Sequence, residues 1–233
     1  MLPWLGRAPV FPPPESALDD PPGLLAAGGD LSVARLLAAY SHGIFPWYGP
    51  DEPILWWSPA PRMVLFPPQL KVSRSLAKTL RNTRYEIRVD TAFRQVMEAC
   101  GAPRRGQRGT WILPEMVDAY CRLFDRGVAH SWETWIDGEL VGGLYGVSLG
   151  TMFFGESMFS RQSDASKLAF VHMVRHLAAH GCGMIDCQMH TAHLASLGAR
   201  LIPRDAFLAT LKEQLARAQP INLWNYHYRN EPS

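Results

Sequence analysis

The sequence predicts an α+β fold in which helices come first and a mostly antiparallel sheet, crossed by one long helix, follows. Hydrophobic residues make up 47% of the 233-residue chain and charged residues 19%, which predicts a well-buried core. Residues 1–66 differ from the rest because they combine proline, glycine and aromatic residues. We therefore expect a small irregular N-terminal domain, residues 1–66, and a larger α+β domain, residues 67–233.

The N-terminal domain contains one helical pattern, LSVARLLAAYSHG, between two proline-rich stretches. Asp30 or Ser32 can cap its start, because a side-chain oxygen there accepts a hydrogen bond from a free backbone N–H group. Gly43 can end it, since glycine tolerates the left-handed conformation that closes many helices. The sequence therefore predicts one short helix within an otherwise irregular segment.

The larger domain opens with two helical patterns. DTAFRQVMEAC predicts a helix with Asp90 as its cap, and LPEMVDAYCRLFDRG predicts a helix with Pro114 in its first turn and Gly127 at its end. Strand patterns follow, because VAHSWETWI and ELVGGLYGVSL flank the pair Asp137-Gly138, a strong signal for a hairpin turn. A third strand, TMFFGESMFS, comes after the turn LGT.

The last part of the pattern alternates helices and strands. A long helix is predicted from about Asp164 to His180, because apolar residues recur at helical spacing. GMIDCQM then predicts a strand, TAHLASLG a short helix that ends at Gly198, and ARLIPR the last strand of the sheet.

Several features limit the class of protein. No apolar run approaches the 18 residues of a membrane-spanning helix. The start, MLPWLGRAPVF, lacks the basic and apolar regions of a secretory signal. The four cysteines do not form the framework of a small disulfide scaffold. We therefore expect a cytoplasmic protein with reduced thiols and no membrane partner.

The charges are distributed unevenly along the chain. Residues 71–108 hold ten basic and three acidic residues, a local net charge of +7, whereas residues 1–70 hold three basic and six acidic residues. Such a basic segment is either a solvated surface or a contact for an anionic partner such as nucleic acid. Charge alone leaves both interpretations open.

The stretch GCGMIDCQMHTAH places two cysteines and two histidines close together. Cys182, Cys187, His190 and His193 are zinc ligands by residue type, but they lack the two-pair spacing of common zinc modules. If a strand holds Cys187 and a helix holds His193, the ligands would have to converge across a corner. We therefore predict no metal at this stretch.

The order of the last elements resembles the fold of the Gcn5-related N-acetyltransferases. Those enzymes hold the coenzyme A pyrophosphate with a glycine-containing loop that opens the long helix, where free N–H groups suit a phosphate. The matching stretch here, SRQSDASKLAF, contains no glycine. The resemblance therefore implies an acyltransferase-like domain with another acyl donor. Two alternatives stay open, a coenzyme A-dependent N-acetyltransferase and a non-catalytic RNA-binding module.

Several motifs together closely resemble one family, the leucyl/phenylalanyl-tRNA–protein transferases. They include GIFPW, WWSP, GESMFS and IDCQ, within matching segments from about residue 23 to residue 204. The resemblance implies that leucine or phenylalanine is moved from its tRNA to the N-terminal arginine or lysine of a protein, with methionine left open as a third donor. That addition marks the acceptor for degradation by the bacterial N-degron route. The donor ester is already activated, so no cofactor is expected, and we expect a monomer.

Three residues are expected to do the chemistry. The family resemblance implies catalytic or acceptor-binding roles for Asp186, Gln188 and Glu156. On a strand, Asp186 and Gln188 share one face, while Ile185 and Cys187 point to the other. Asp186 is thus expected near the attacking amine, with Gln188 beside it. Glu156 is expected on a neighbouring strand, as a second carboxylate for a cationic acceptor.

The resemblance also implies the contacts of the donor. An apolar pocket is expected for the leucine or phenylalanine side chain, and aromatic rings for the terminal adenosine. The basic segment is expected to bind the acceptor stem. Thr191 and His193 lie next to this site, where the sequence departs from the family's pattern. The expected pocket residues are Leu144, Met158, Phe170, Met173, Leu177 and Ile185; the expected tRNA contacts are Tyr40, Trp47, Trp111, Tyr120, Arg81, Arg84 and Arg88.

Overall fold

The computed structural model describes residues 1–103, 110 and 112–232, which form two sheets and the helices around them. The smaller sheet has the strand order β1-β2-β4-β3 and lies next to helix α1. Ser32 caps this helix, because its hydroxyl accepts a hydrogen bond from the N–H group of Arg35 at 3.3 Å. The elements are β1 (Trp4–Leu5), β2 (Leu24–Gly28), α1 (Val33–Ser41), β3 (Phe45–Pro46) and β4 (Leu55–Trp57).

The larger sheet contains eight strands in the order β11-β5-β10-β9-β8-β7-β6-β12. Its elements are β5 (Arg62–Leu65), α2 (Arg74–Asn82), β6 (Tyr85–Val89), α3 (Phe93–Gly101), α4 (Pro114–Phe124), β7 (Ala129–Ile136), β8 (Glu139–Leu149), β9 (Met152–Ser160), α5 (Ala165–Ala179), β10 (Met184–Gln188), α6 (Ala192–Ser196), β11 (Arg200–Ile202), α7 (Arg204–Leu215) and β12 (His227–Asn230). Among the described strands of this sheet, the neighbours β9 and β10 run parallel, and the other neighbours are antiparallel. The structure is thus a mixed α/β arrangement with a mostly antiparallel sheet.

The hairpin of β7 and β8 confirms the strongest local prediction. Asp137 and Gly138 both have positive φ, 50° and 80°, as a two-residue hairpin turn requires. The two strands pair antiparallel from Ala129 opposite Val147 to Ile136 opposite Glu139. The long helix α5 and the strand β10 also lie where the sequence predicts them.

Other elements differ from the prediction. β11 is not the last strand, because α7 and β12 follow it, and the basic segment contains α2 and β6. Asp90 does not cap α3: its carboxylate instead accepts the N–H group of Ser131 at 2.8 Å and contacts the ring of His130 at 2.7 Å. The Asp90 carboxylate therefore bonds to β7 instead of capping the helix that follows it.

Strand β5 bears on the expected domain boundary after residue 66. It precedes that boundary, yet it pairs with β10 and β11 inside the larger sheet. Burial on both faces explains why β5 belongs to the larger sheet. Met63 and Leu65 pack in one core cluster, and Val64 packs in the other. The chain therefore enters the larger sheet at Arg62.

The core lies on both faces of the eight-stranded sheet. One cluster joins it to α1, α3, α4 and α7, and the other joins it to α2 and α5. Both faces of the central strands are consequently covered, so polar groups near the middle of the sheet must be satisfied inside the protein. Within the described part of the chain, no helix has the length and apolar character needed to cross a membrane.

Candidate active site between two parallel strands

The parallel strands β9 and β10 pair along only part of their length. Their register runs from Met184 opposite Met152 to Asp186 opposite Phe154. Beyond Phe154, β9 continues to Ser160 beside β8, while β10 ends at Gln188. Beyond that point the two strands separate, and two cavities lie next to the opening.

The first cavity has a volume of about 360 Å³ and an apolar wall. Five of the six residues expected to hold the donor side chain line it: Leu144, Met158, Phe170, Met173 and Ile185. Leu177 does not. It lies among core residues farther along α5, where it lines a separate small space with Met152 and Phe153. Thr191 and His193 also line the first cavity.

The second cavity is larger, about 960 Å³, and lies between the N-terminal sheet and the opening. Trp47 and Trp57 line it, with their rings in an edge-to-face contact at 5.3 Å between centroids. Glu156, Ser157 and Thr191 line both cavities. These three residues therefore stand at the junction of an apolar pocket and an aromatic cleft.

Asp186 is enclosed in a buried ion pair. Arg62 donates from Nε to one carboxylate oxygen of Asp186 at 2.8 Å and from Nη2 to the other at 2.6 Å. Asp186 is 0% exposed and Arg62 1% exposed. The guanidinium group of Arg62 also lies over the rings of Phe45 and Phe207, at 4.8 and 4.6 Å. Asp186 therefore does not reach either cavity, which differs from its expected place beside the attacking amine.

Glu156 lines both cavities and is bonded by two tyrosines. Tyr40 donates to its Oε1 at 2.7 Å, and Tyr120 donates to its Oε2 at 3.3 Å. The pKa of Glu156 is raised to about 7, mainly by burial; the hydroxyl groups of Tyr40 and Tyr120 oppose the rise, and the nearby charge of Asp186 adds to it. Glu156 is thus a carboxylate that exchanges a proton near neutral pH.

Gln188 connects the two carboxylates. Its backbone N–H donates to Asp186 Oδ1 at 2.9 Å, and its side-chain Nε2 donates to Glu156 Oε1 at 2.8 Å. Its φ is 62°, in the left-handed region that a non-glycine residue seldom adopts, and the pairing of β10 with β5 shifts register there. A β-bulge therefore turns Gln188 out of the regular strand and towards Glu156.

Two of the residues expected to stack on adenosine have another role. Tyr40 and Tyr120 are buried, their hydroxyl groups contact each other, and both donate to Glu156. A buried ring offers no free face to an adenine, so these tyrosines do not form the stacking surface. Burial raises the pKa of both phenols well above the usual range, which keeps them protonated as donors. Trp47 remains exposed to the larger cavity, and Trp111 lies outside the described residues.

The expected RNA-binding arginines lie away from the opening. Arg84 and Arg88 belong to the segment around β6, which is three strands from β9 in the sheet order. At the usual spacing between strands that separation is about 14 Å. Arg88 is paired with Glu86 at 2.8 Å, whereas Arg81 is exposed at the end of α2. Lys71 lies nearer, because its N–H group donates to the carbonyl of Leu197 beyond α6.

The cysteine and histidine stretch does not gather a metal site. In the part of the chain that the structure describes, no group of three or more histidine, cysteine or acidic side chains is arranged to hold an ion. Burial raises the pKa of the Cys182 thiol to about 12 and raises that of Cys187 strongly as well. Burial is the main cause of both shifts, because it disfavours the charged thiolate.

The start of α5 is unfavourable for a pyrophosphate. Asp164 precedes the helix with a φ of 62°, and its carboxylate contacts Lys167 at 2.7 Å and Thr79 at 3.3 Å. A carboxylate at this point competes with an anion for the positive end of the helix. This arrangement argues against binding of coenzyme A in the manner of the Gcn5-related enzymes.

Comparisons with known proteins agree along the whole chain. Residues 64–212 match the family described as leucyl/phenylalanyl-tRNA protein transferase, and residues 29–60 match the N-terminal domain of that family. Leucyl/phenylalanyl-tRNA–protein transferases from Chromobacterium violaceum and Laribacter hongkongensis are 73% and 55% identical over 233 residues, which is 100% of this chain and of each relative. The protein of the same name from Nitrosospira multiformis is 65% identical, over 91% of this chain and 92% of that protein.

A distant similarity links the chain to one solved structure of a different protein. The C-terminal domain of a putative lysylphosphatidylglycerol synthetase from Agrobacterium fabrum aligns with a TM-score of 0.39 and 13% identity. The alignment covers 81% of this chain and 57% of that one. A similarity of this size does not assign the fold, so the architecture is described by its own strands and helices.

Proposed function

The chain belongs to the leucyl/phenylalanyl-tRNA protein transferase family, and we propose that it transfers leucine or phenylalanine from aminoacyl-tRNA to the N-terminal arginine or lysine of acceptor proteins. The amine of the acceptor attacks the aminoacyl ester, and the 3′ end of the tRNA leaves. The proposed reaction takes place in the cytoplasm, where it marks the acceptor for N-degron degradation. The proposed fold of the larger domain is that of the Gcn5-related acyltransferases.

The apolar cavity supports the proposed choice of donor. Its volume of about 360 Å³ and its wall of leucine, isoleucine, phenylalanine and methionine side chains suit a leucine or phenylalanine side chain. Met158 and Met173 are unbranched and polarizable, so they can pack against a branched or an aromatic guest. In the proposed complex the ester carbonyl lies at the mouth of this cavity, next to Glu156.

The position of Glu156 is the observation that carries the proposed mechanism. It lines both cavities, so it is within reach of an ester in the first and an amine in the second. A general base works best when its pKa lies near the working pH, and burial raises the pKa of Glu156 to about 7. We propose that Glu156 accepts the proton that the attacking ammonium group must lose. Gln188 orients that carboxylate, and Asp186 acts through Gln188.

The larger cavity supports a cationic acceptor and a nucleoside. Glu52 lines it and accepts the N–H group of Gly49 at 2.6 Å, which leaves carboxylate capacity for a lysine or arginine side chain. Trp47 offers an aromatic ring to the terminal adenosine. The basic residues of α2 and of the segment that follows it then contact the phosphates of the acceptor stem.

A transfer assay tests the function. The purified protein is incubated with labelled leucyl-tRNA or phenylalanyl-tRNA and with peptides that begin with arginine, lysine or glutamate. Label is expected on the first two peptides and not on the third. Labelling of all three peptides would contradict the proposed acceptor, and label from acetyl-coenzyme A instead would support an N-acetyltransferase. Binding of tRNA without transfer would support an RNA-binding module.

The RNA contact is tested by salt dependence. Neutralising Arg81, Arg84 and Arg88 together should weaken aminoacyl-tRNA binding and reduce the slope of log affinity against log salt by about 0.7 to 0.9 for each phosphate that these side chains neutralise. A matched triple variant of Lys71, Arg74 and Lys78 measures the contribution of the cations nearer the opening. An unchanged slope in the arginine variant would exclude those three residues from the RNA contact.

A further inference from the structure

Arg62 is a buried cation to which the chemistry above gives no task. It begins β5, two strands from β9 in the sheet order, and its guanidinium group lies over the rings of Phe45 from β3 and Phe207 from α7. Two of its nitrogens are used on Asp186, and its Nη1 is buried without a hydrogen-bond partner among the described residues. A buried arginine with an unsatisfied nitrogen is costly, so the arrangement calls for an explanation.

The contacts of Arg62 form one end of a continuous chain. Arg62 holds both oxygens of Asp186, Asp186 accepts the backbone N–H of Gln188, and the side chain of Gln188 donates to Glu156. Gln188 is the strained link, with a φ of 62° at a β-bulge. Such a conformation persists only where surrounding contacts impose it, and the contact from Asp186 is the one at its backbone nitrogen.

We propose that Arg62 is a positioning residue for the transfer reaction: its ion pair fixes Asp186 as an anchor for Gln188 and withholds Asp186 from proton transfer, which runs through Glu156. This inference rests on the proposed function. Asp186 is 0% exposed, and both of its oxygens are occupied by Arg62. It has neither access to the acceptor amine nor an oxygen without a bonded partner.

The charges near Glu156 allow the pH–rate profile to show whether Glu156 or Asp186 accepts the proton. Asp186 raises the pKa of Glu156 by repulsion, and Arg62 lowers it less strongly. In the double variant Arg62→Met with Asp186→Asn, Glu156 loses both charges, and the larger of the two influences is that of Asp186. The pKa of Glu156 then falls, and the acid limb of the pH–rate profile moves to lower pH. If Asp186 were itself the proton acceptor, the double variant would lose transfer at every pH instead.

The experiment compares four proteins: the wild type, Arg62→Lys, Arg62→Met and the double variant Arg62→Met with Asp186→Asn. The double variant removes both charges at once, which protects the fold if Arg62→Met alone does not fold. Each variant is assayed from pH 5 to pH 9 for kcat and for the KM of aminoacyl-tRNA. Arg35→Lys is the matched control, because Arg35 is also buried but bonds to Gly6 and Ala8 in the N-terminal segment.

For Arg62→Lys we expect kcat to fall by about a hundredfold with little change in KM, since a displacement of about 1 Å costs that much. Arg62→Met should also lower kcat, the double variant should show the acid limb displaced to lower pH, and Arg35→Lys should keep the wild-type profile. Wild-type kcat and profile in the Arg62 variants would overturn the inference. So would an acid limb displaced to higher pH in the double variant, or loss of its transfer at every pH.

A second measurement separates this inference from the proposed function. Carbon-13 labelling of glutamate carboxyl groups follows the titration of Glu156 by NMR, with Glu156→Gln to assign the signal. The midpoint should lie near 7 in the wild type and lower in the double variant. If the wild type transfers nothing but the midpoint moves as expected, the proposed function fails and the coupling of Arg62 to Glu156 stands. A midpoint that stays in place overturns the coupling, whatever the activity.

Discussion

The paired and the separated halves of the strands β9 and β10 place the same kinds of residue in different environments. In the paired half, Asp186 is buried opposite Phe154 and bonded to Arg62. In the separated half, Glu156 lies at the junction of two cavities and binds two tyrosine hydroxyl groups. One carboxylate is held by a cation, while the other is surrounded by neutral donors and can change its protonation state near pH 7.

The difference shows how burial and partners divide tasks between two acids. A carboxylate with a bidentate arginine partner is a fixed negative charge, suited to hold a backbone group in place. A carboxylate that is desolvated among hydroxyl groups has a raised pKa and can accept a proton from an ammonium group. The apolar residues also differ between the two halves. Met158 lines the first cavity beside the separated half, whereas Leu177 packs near Met152 and Phe153 in the paired half.

The largest expected effect comes from removing the proposed base, Glu156, in the separated half. Glu156→Gln keeps the size of the side chain but cannot accept a proton, so transfer should fall by about 100- to 10,000-fold. Binding of aminoacyl-tRNA should survive, as measured by filter binding. Glu98→Gln, on the exposed side of α3, is the control. If the variant retained transfer within threefold of the wild type at pH 8, a group other than Glu156 would have to accept the proton of the attacking amine.

The same substitution should affect stability with a defined sign. Because the pKa of Glu156 rises from 4.5 to about 7 on folding, the folded protein retains a proton that the unfolded chain releases. Stability from this group is present below pH 4.5 and is lost as the pH rises through 7. At pH 8 Glu156→Gln should therefore raise the free energy of unfolding by an amount on the order of 3 kcal/mol. Urea denaturation at pH 8 and pH 4.5 measures this change in the free energy of unfolding. An equal increase at both pH values would show that the raised pKa of Glu156 is not its cause.

Two apolar substitutions distinguish the cavity from the core. Met158→Ala removes a wall of the first cavity, so the ratio of phenylalanine to leucine transfer should change by a factor that corresponds to about 1–3 kcal/mol. Leu177→Ala should leave that ratio unchanged and lower the free energy of unfolding by about 2–5 kcal/mol. Competition between the two aminoacyl-tRNAs gives the ratio. A constant ratio in Met158→Ala would assign this residue to the core.

The smallest expected effect is a shift in pH dependence from the two tyrosines. Each hydroxyl group lowers the pKa of Glu156, so Tyr40→Phe should move the acid limb of the pH–rate profile to higher pH. Tyr120→Phe should move it less, because its hydroxyl group lies 3.3 Å from the carboxylate rather than 2.7 Å. Transfer should fall a few-fold at pH 7 and recover at pH 9. A reduction that is equal at all pH values would indicate a structural role instead.

The sequence predicted the local elements best where turn chemistry is specific. Asp137-Gly138 specified a hairpin, and the apolar spacing specified α5, because both signals depend on neighbouring residues. α7 and β12 were missed, since the first follows a proline directly and the second is a short exposed strand whose partner, β6, lies far away in the sequence. Arg62 was missed as well. Its one sequence signal is a charge at the start of an apolar run, RMVLF.

By itself, the sequence determined the family and the α+β order of elements, because motifs and side-chain periodicity are properties of the chain. The family resemblance also named five of the residues that line the first cavity. Only the tertiary structure decided which carboxylate faces the cavities. Asp186 and Glu156 both carry a carboxyl group on a strand, but their environments depend on Arg62, Tyr40 and Tyr120. Those partners are 36 to 124 residues distant in the chain. Burial and neighbouring groups set the protonation of Glu156, and only the folded chain brings those neighbours together.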